Sequence, residues 1–305
     1  MKTKVSVVIV FYNGMKWLPK CLRSCDPYNV IAVDNNSTDG TVSFIKENFP
    51  EITILQQSEN LGFGAANNIG ISHALNNGAD YVFLLNQDAY LEPNTINHLI
   101  KCHKENTVFG VISPMHLNGN GEKMDYNFSK YIKDNKELQY DIQKQLYTQQ
   151  IYEIPFINAA AWLLPRNAIE RIGGFDPIFH HYGEDVNYCQ RILYHHLKIG
   201  VVPEVYIRHD REFRPKRILN NKTEKLAHFE RGLKQGLANI NKEIERHIKK
   251  KKQILLKQSF KSFFKLMFRD ALFNLIKYKL LNSVLPEIKN SRKKNKGVGL
   301  HYLDA

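Results

Sequence analysis

Three aspartates follow apolar runs of the sequence, at points where their side chains could bind a metal ion or a nucleotide. Asp88 comes soon after the run Tyr81–Leu85, and Mg²⁺ and Mn²⁺ prefer oxygen ligands of this kind. A metal bound there could bridge a diphosphate and neutralise charge that develops on a leaving group. Asp34 can accept hydrogen bonds from a base or a ribose. Asp39 either shares that role or caps a helix that begins near Thr41.

Two adjacent carboxylates, Glu184 and Asp185, stand at the start of a predicted helix. The positive end of a helix stabilises the ionised form of such groups. An ionised carboxylate at the edge of a site can act as a general base on an incoming hydroxyl group. The alternative is that both are ordinary acidic residues of a first helical turn.

Glycines recur from Gly62 to Gly70, where another helix is predicted to begin. A helix N-terminus that a ligand can approach closely suits an anion such as a diphosphate. The spacing is not the dinucleotide fingerprint G-x-G-x-x-G, and the segment follows the third predicted strand rather than the first. A nicotinamide-dependent enzyme is therefore disfavoured.

Short β-rich runs alternate with segments of helical period, and this alternation predicts the scaffold that brings these residues together. The alternation favours an α/β fold with a mostly parallel central sheet flanked by helices. The predicted strands are Val5–Val10, Val30–Asp34, Ile52–Gln56, Tyr81–Leu85 and Val108–Ser113, and the predicted helices are Trp17–Ser24, Val42–Asn48, Ala65–Asn76 and Thr95–His103. Ligands bind beyond the carboxyl ends of such strands, so four polar or glycine-rich loops should meet at one edge.

The chain after the fifth strand is less regular. Residues 116–150 are polar without a clear period and predict an inserted loop or hairpin near the site. Beyond them we expect a strand at Ile154–Leu164, a helix at Arg166–Ile172, a helix at Val186–His195 and a last strand at Ile199–Ile207, broken by Pro203.

The basic character of the chain lies in its C-terminal part. The net charge is +13, and Lys222–Lys296 holds 21 Lys and Arg against 6 Asp and Glu. Apolar residues from Phe260 to Ile276 follow helical spacing within a predicted amphipathic helix, Phe260–Leu285, with Lys261, Lys265 and Arg269 on another face. This pattern favours an anionic membrane surface. Packing on the first domain or homodimerisation is the alternative, and nucleic acid is disfavoured because no nucleic-acid module is present.

The sequence thus predicts two parts, residues 1–221 with the site and residues 222–305 as a basic helical extension. The short N-terminal apolar run lacks a cleavage site and is better explained as a buried strand. The four cysteines have no metal-binding spacing and suit a reducing compartment. We expect a cytoplasmic protein, peripheral at the inner face of the cytoplasmic membrane.

Five segments, in this order, resemble the family 2 inverting glycosyltransferases with the Rossmann-like GT-A fold, in particular their rhamnosyltransferase-like branch. They are VSVVIVFYNG, VIAVDNNSTDGT, NLGFGAANNIG, FLLNQDAYLEP and GGFDPIFHHYGEDVNYCQR. The resemblance spans about Lys4 to His209. It implies a nucleoside-diphosphate sugar donor, a divalent metal (Mn²⁺ or Mg²⁺) and a glycan or lipid-linked glycan acceptor, as in assembly of bacterial surface polysaccharides.

The resemblance also implies residue roles. Asp185 matches the general base, with Glu184 as second choice, and Asp88 matches a metal ligand of a D-x-D-type motif whose first position is Asn86 here. His209 matches a further metal ligand of some relatives, or is a structural histidine. The predicted nucleotide-sugar-binding residues are Phe11, Tyr12, Asn13, Asp34, Asn36, Asp39, Asn60, Gly62, Asn67, Asn86 and Gln87.

Other functions fit the sequence less well. A nucleotidyltransferase should carry a glycine-rich basic loop after its first strand, where this chain has FYNGMKW. A processive synthase is disfavoured because the Q-x-x-R-W motif and spanning helices are missing from the sequence. An inactive relative that binds nucleotide sugars or serves as a scaffold in envelope assembly is the alternative from another class.

Overall fold

The computed structural model describes residues 3–211 and 221–304, which fall into two compact units. Residues 3–211 and 298–304 form the first unit, and residues 221–297 form the second. The sequence predicts a single boundary at residue 221, whereas the structure returns residues 298–304 to the first unit.

Helices and strands alternate through the first unit. The strands are β1 (Val5–Phe11), β2 (Asn29–Asp34), β3 (Thr53–Gln56), β4 (Tyr81–Asn86), β5 (Ala89–Leu91), β6 (Phe109–Asn118), β7 (Tyr152–Glu153), β8 (Ala161–Pro165) and β9 (Lys198–His209). The helices of this unit are α1 (Leu18–Ser24), α2 (Thr41–Asn48), α3 (Phe63–Asn76), α4 (Thr95–Glu105), α5 (Tyr126–Ile132), α6 (Lys136–Lys144), α7 (Arg166–Ile172) and α8 (Glu184–Tyr194).

The strands form one mixed sheet in the order β3-β2-β1-β4-β8-β6-β9-β5, with β7 paired to β9. Strands β3, β2, β1 and β4 are parallel, as predicted. Strand β8 runs antiparallel to both β4 and β6, and β5 and β7 run antiparallel to β9. The predicted α/β fold with a central sheet flanked by helices is therefore confirmed. Its parallel pairs are β3-β2-β1-β4 on one side of β8 and β6-β9 on the other.

Side chains of the strands alternate between two hydrophobic layers, one on each face of the sheet. Val8 and Leu84 belong to one layer, while Val7, Ile9 and Phe83 belong to the other. Burial on both faces explains why the first strands read as continuous apolar runs. The edge of the sheet at the carboxyl ends of the parallel strands is thereby left for polar loops.

Two of the later predictions need correction. The strand expected at Ile154–Leu164 begins only at Ala161, as β8, and residues 154–160 are not in a strand. Pro155 has no N–H group for a ladder hydrogen bond, which disfavours a strand at that position. Residues 116–150 begin with a short hairpin turn, in which Leu117 pairs with Met124, and continue with two helices, α5 and α6, that were not predicted. Asp125 and Asn135 cap these helices by accepting hydrogen bonds from backbone N–H groups.

The second unit consists of α9 (Lys222–Leu237), α10 (Glu245–Phe264) and α11 (Phe268–Asn295). Helices α10 and α11 form a hairpin, so the single amphipathic helix predicted for Phe260–Leu285 is interrupted at residues 265–267. Leu266 adopts a left-handed conformation there, with φ of 58°. Arg292 on α11 donates hydrogen bonds to the backbone carbonyls of Leu237 and Lys242 and joins the end of α9 to the hairpin.

Within residues 3–211 and 221–304, the helices are too short or too polar for any of them to cross a membrane.

Candidate active site

A cavity of about 500 Å³ opens in the first unit at the carboxyl ends of the parallel strands. Its first side is formed by residues that follow β1, β2, β3 and β4. These are Tyr12, Asn35, Asn60, Asn86, Gln87 and Asp88. The opposite side comes from α5, from the segment before β8, from α8 and its preceding loop, and from the end of β9. The predicted meeting of loops at one edge of the sheet is thus what the structure contains.

Asp88 and His209 lie together at the base of this cavity. Strand β5 pairs with β9 so that Ala89 is opposite His209, and the Nε2 atom of His209 is 3.4 Å from the Oδ1 atom of Asp88. Both residues are 1% exposed. In the described part of the chain, neither ring nitrogen of His209 has a hydrogen-bond partner.

Buried polar atoms are normally satisfied by a partner, so this pair fits a cation that both side chains would bind. Among the described residues, no group of three His, Cys, Asp or Glu side chains is arranged to hold a metal ion. A metal at Asp88 and His209 would therefore need oxygen ligands from a substrate or from water, which is a usual arrangement for Mg²⁺.

Glu184 and Asp185 face the same cavity from the N-terminus of α8. Glu184 is buried, and its Cβ and Cγ atoms pack against Gly64 at the start of α3. Asp185 is partly exposed, and its Oδ1 atom accepts a hydrogen bond from the backbone N–H of Val186. Burial of the carboxyl group raises the pKa of Asp185 to about 6, although backbone hydrogen bonds from Val186 and Ala159 oppose the shift. This pKa suits a general base near neutral pH.

Gln87 joins the loop after β4 to the loop after β1. Its Oε1 atom accepts a hydrogen bond of 2.9 Å from the backbone N–H of Tyr12, and its Nε2 atom donates to the carbonyl of Tyr12. A tyrosine ring that is 47% exposed is thereby held at the rim of the cavity.

Asn35, which sequence reasoning did not select, connects the loops after β2 and β3. Its Nδ2 atom donates to the Oδ1 atom of Asn60, and its own Oδ1 atom accepts from the backbone N–H of Leu61. Gly62 follows with φ of +84°, and a Cβ atom there would lie 2.1 Å from the carbonyl oxygen of His180. This glycine allows the loop before α8 to approach the start of α3.

Several predicted binding residues do not line the cavity and lie in or next to the loops that form its rim. Asp34 accepts hydrogen bonds from the backbone N–H of Ser37. Asn13 accepts one from the backbone N–H of Thr38. Asn67 donates to the carbonyl of Phe63. Phe11 is fully buried in the core, and Asn36 has a left-handed conformation with φ of 67°.

Asp39 makes local contacts beside the start of α2, whose N-cap residue is Gly40. Its Oδ1 atom accepts hydrogen bonds from the backbone N–H and the hydroxyl of Thr41, and its Oδ2 atom accepts from the backbone N–H of Met15. Burial raises the pKa of Asp39, but these hydrogen bonds outweigh it and hold that pKa below its usual value.

The second side of the cavity contains further residues that sequence reasoning missed. Asn127 and Tyr131 come from α5, and Arg211 follows β9. Arg211 donates hydrogen bonds to both carboxylate oxygens of Asp125, the residue that caps α5. The only signal in the sequence for Arg211 was its place two residues after His209.

The turn before α8 is also held by the last described residues of the chain. The backbone N–H of Gly174 donates to the carbonyl of His301, at 2.7 Å. The hydroxyl of Tyr302 donates to the Oδ2 atom of Asp176, at 3.2 Å. From α8 itself, the fully buried guanidinium of Arg191 donates to the carbonyl of Gly174. These contacts fix the segment that leads to Glu184 and Asp185.

Comparisons with known proteins identify related sequences. The family model described as Glycosyl transferase family 2 matches residues 6–173, more than half of the chain. The chain is 24% identical over 219 residues to the N-acetylglucosaminyl-diphospho-decaprenol L-rhamnosyltransferase of Mycobacterium tuberculosis, with 63% of this chain and 71% of that protein covered. It is 23% identical over 217 residues to the dTDP-rhamnosyl transferase RfbF of Shigella flexneri, with 68% and 70% covered.

The fold is similar to that of solved glycosyltransferase structures. The crystal structure of GalNAc-T7 with UDP, GalNAc and Mn²⁺ matches with a TM-score of 0.60 and 14% identity, and the match covers 98% of this chain. Our chain spans only 55% of the GalNAc-T7 chain. At this identity the likeness shows the fold alone, and it confirms the predicted fold class.

Proposed function

Because the chain belongs to glycosyltransferase family 2, we propose that it transfers a hexose from a nucleoside-diphosphate sugar to a hydroxyl group of a glycan or lipid-linked glycan. One observation carries the proposal. The pair Asp88 and His209 and the pair Glu184 and Asp185 line one cavity. A donor diphosphate near the first pair would place its sugar toward the second.

Rhamnose is the sugar that we propose first. Both of the bacterial relatives described above are rhamnosyltransferases by name, and one of them is named for dTDP-rhamnose. The exposed ring of Tyr12 and the amides of Asn60 and Asn86 are available at the rim to contact a base and a ribose. The name of the mycobacterial relative contains a lipid-linked sugar, which supports a lipid-linked glycan as the acceptor.

Asp88 and His209 would hold the divalent metal, Mn²⁺ or Mg²⁺, as the fit of their buried side chains indicates. The metal would neutralise the negative charge on the departing diphosphate. Mn²⁺ in the crystal structure of GalNAc-T7 supports this assignment. The guanidinium of Arg211, which is paired with Asp125, lines the same cavity.

Asp185 would act as the general base. Its carboxylate takes the proton from the acceptor hydroxyl as that oxygen attacks C1 of the sugar. The bond between C1 and the diphosphate oxygen breaks in the same displacement, so the configuration at C1 inverts and the nucleoside diphosphate leaves. Glu184 is the second candidate for the base. Its side chain is more deeply buried than that of Asp185 and packs along α3.

The cell compartment follows from the substrates that we propose. A lipid-linked acceptor would place the reaction at the inner face of a cytoplasmic membrane, where nucleotide sugars are available, and the product would enter surface polysaccharide synthesis. A homodimer stays a prediction.

The test is release of nucleoside diphosphate from a panel of donors, with Mn²⁺ or Mg²⁺ and with EDTA. Wild type is compared with Asp88→Asn and with Asp134→Asn, an exposed aspartate outside the cavity, as the matched control. We expect metal-dependent release from dTDP-rhamnose that is lost in Asp88→Asn and kept in Asp134→Asn.

Calorimetry with each donor separates the remaining outcomes. Donor binding without release, in the presence of a lipid-linked acceptor, would favour the inactive relative that binds nucleotide sugars. No binding of any donor would refute the proposal. Release from a different donor would keep the reaction and replace rhamnose.

A further inference from the structure

The tip of the hairpin formed by α10 and α11 exposes a concentration of large apolar side chains. Phe264 is 81% exposed, Leu266 is 75% exposed and Phe260 is 64% exposed. Phe263, Met267, Phe268 and Leu272 are also exposed. Exposed contiguous apolar surface of this kind marks an interaction site in a soluble domain.

Away from the tip, the apolar residues of the hairpin are used internally. Ile248 and Leu255 on α10 and Leu281, Val284 and Ile288 on α11 are buried. In the described second unit, the exposed large hydrophobic residues all lie between Ile254 and Ile276. The hairpin therefore has a buried seam between its helices, and its unburied apolar surface is gathered at the connection.

Exposed cations lie within this apolar tip, at intervals of four residues. They are Lys257, Lys261, Lys265 and Arg269. Among the described residues, none of the four forms an ion pair with a carboxylate, and Asp270 is the single acidic residue between Lys257 and Ile276. An apolar end that also carries exposed cations complements a surface that is apolar inside and anionic outside.

We propose that this tip, residues 257–276, inserts into the interface of an anionic phospholipid bilayer. The aromatic side chains would enter the boundary between headgroups and acyl chains, where amphipathic elements bury their apolar face by roughly 5–10 Å. The four cations would remain at the level of the lipid phosphates. The two helices would not cross the bilayer, in agreement with the lack of a long apolar helix among the described residues.

The charge of the tip favours a bilayer over a second copy of the chain as the occupant. In a symmetric dimer joined through the tip, the four cations of one copy would lie near those of the other, and like charges would oppose that contact. The proposal concerns the second unit alone and does not depend on which sugar is transferred.

The experiment is flotation of the full chain with phosphatidylcholine vesicles, with and without phosphatidylglycerol. We expect binding that requires phosphatidylglycerol. Each cation near an anionic surface should strengthen vesicle binding about fivefold. The triple variant Lys257→Glu, Lys261→Glu, Lys265→Glu should therefore bind at least about a hundredfold more weakly. The control carries Lys225→Glu, Lys242→Glu and Lys249→Glu, which change exposed residues of the same unit away from the tip.

The apolar contribution is tested separately. The variant Phe263→Ser, Phe264→Ser, Leu266→Ser should lose vesicle binding, while Val108→Ser, Tyr140→Ser, Leu146→Ser, which changes exposed apolar residues of the first unit, should keep it. Because all six side chains are exposed, thermal unfolding of both variants should match wild type.

Insertion itself has a direct readout, since both native tryptophans, Trp17 and Trp162, lie in the first unit. Phe264→Trp should shift its fluorescence to the blue on anionic vesicles and be quenched by brominated acyl chains. The proposal is overturned by equal binding to neutral vesicles, by unchanged binding of the serine variant, or by an unquenched Trp at position 264. It is also overturned if light scattering shows a dimer that the serine variant dissociates and no vesicle binds.

Discussion

Asp185 is expected to lose its proton near pH 6, and the rate of sugar transfer should follow that titration. Burial raises the pKa of this carboxyl group to about 6, and only the ionised form can accept the proton of an acceptor hydroxyl. From that pKa, about 91% of Asp185 is ionised at pH 7 and about 9% at pH 5. The value of kcat/KM should therefore fall about tenfold between these pH values. An aspartate with the ordinary pKa of about 3.9 would lose under a tenth of its ionised form.

The assay is initial-rate transfer with the donor identified by the panel, measured across that pH range with saturating metal. Asp185→Asn should lower kcat by roughly 10²–10⁴-fold and leave donor binding intact by calorimetry. Asp134→Asn, which changes an exposed aspartate that does not line the cavity, should keep both the rate and the profile. A flat profile in wild type would refute the raised pKa as the source of the pH dependence. If Glu184→Gln is inactive and Asp185→Asn keeps wild-type activity, Glu184 is the base.

Three further predictions concern the metal pair, the rim and the C-terminal segment. His209→Ala should weaken Mn²⁺ binding in the presence of nucleoside diphosphate by at least about tenfold, measured by calorimetry; unchanged affinity would make it a structural histidine. Gly62→Ala should lower the free energy of unfolding in urea by roughly 1–3 kcal/mol, because φ is +84° and the new Cβ atom would meet His180. An unchanged urea midpoint would contradict the need for a glycine at this close approach. Tyr302→Phe removes the hydrogen bond to Asp176 and should cost about 1 kcal/mol in the same measurement, whereas equal stability would show that this bond contributes nothing.

The half of the sheet that carries the donor side of the cavity could be predicted from sequence because its signals are local. Strands β1, β2 and β4 are runs of buried apolar residues that end in turn-forming residues, and their parallel pairing brings those ends to one edge. The helix at Arg166–Ile172 was predicted to the residue. Family membership and the glycosyltransferase activity were also predicted, from the five ordered segments, and are confirmed.

The other side of the cavity depends on contacts between distant parts of the chain, which local patterns do not encode. Tyr131 lies on a helix within a polar segment without clear periodicity, and Arg211 reaches the site because Asp125 orients its guanidinium. The antiparallel direction of β8 could not be predicted either, because it depends on how the chain returns after α6. At the break, Leu266 adopts the left-handed conformation in which glycine or asparagine is usual. Because neither of those residues is present, the sequence carries no signal for the break.

The division into two units explains why the last residues of the chain matter to the site. The second unit is an insertion in the chain, because residues 211 and 298 on either side of it both belong to the first unit. The segment after it is apolar enough to pack there, since Leu300 and Leu303 contact the core layer that includes Phe175. Its backbone holds Gly174, and Gly174 in turn accepts from Arg191 of the helix that begins with Glu184. The position of the proposed base is therefore set by residues more than a hundred positions later in the sequence. A boundary drawn at residue 221 would separate the site from these supporting residues.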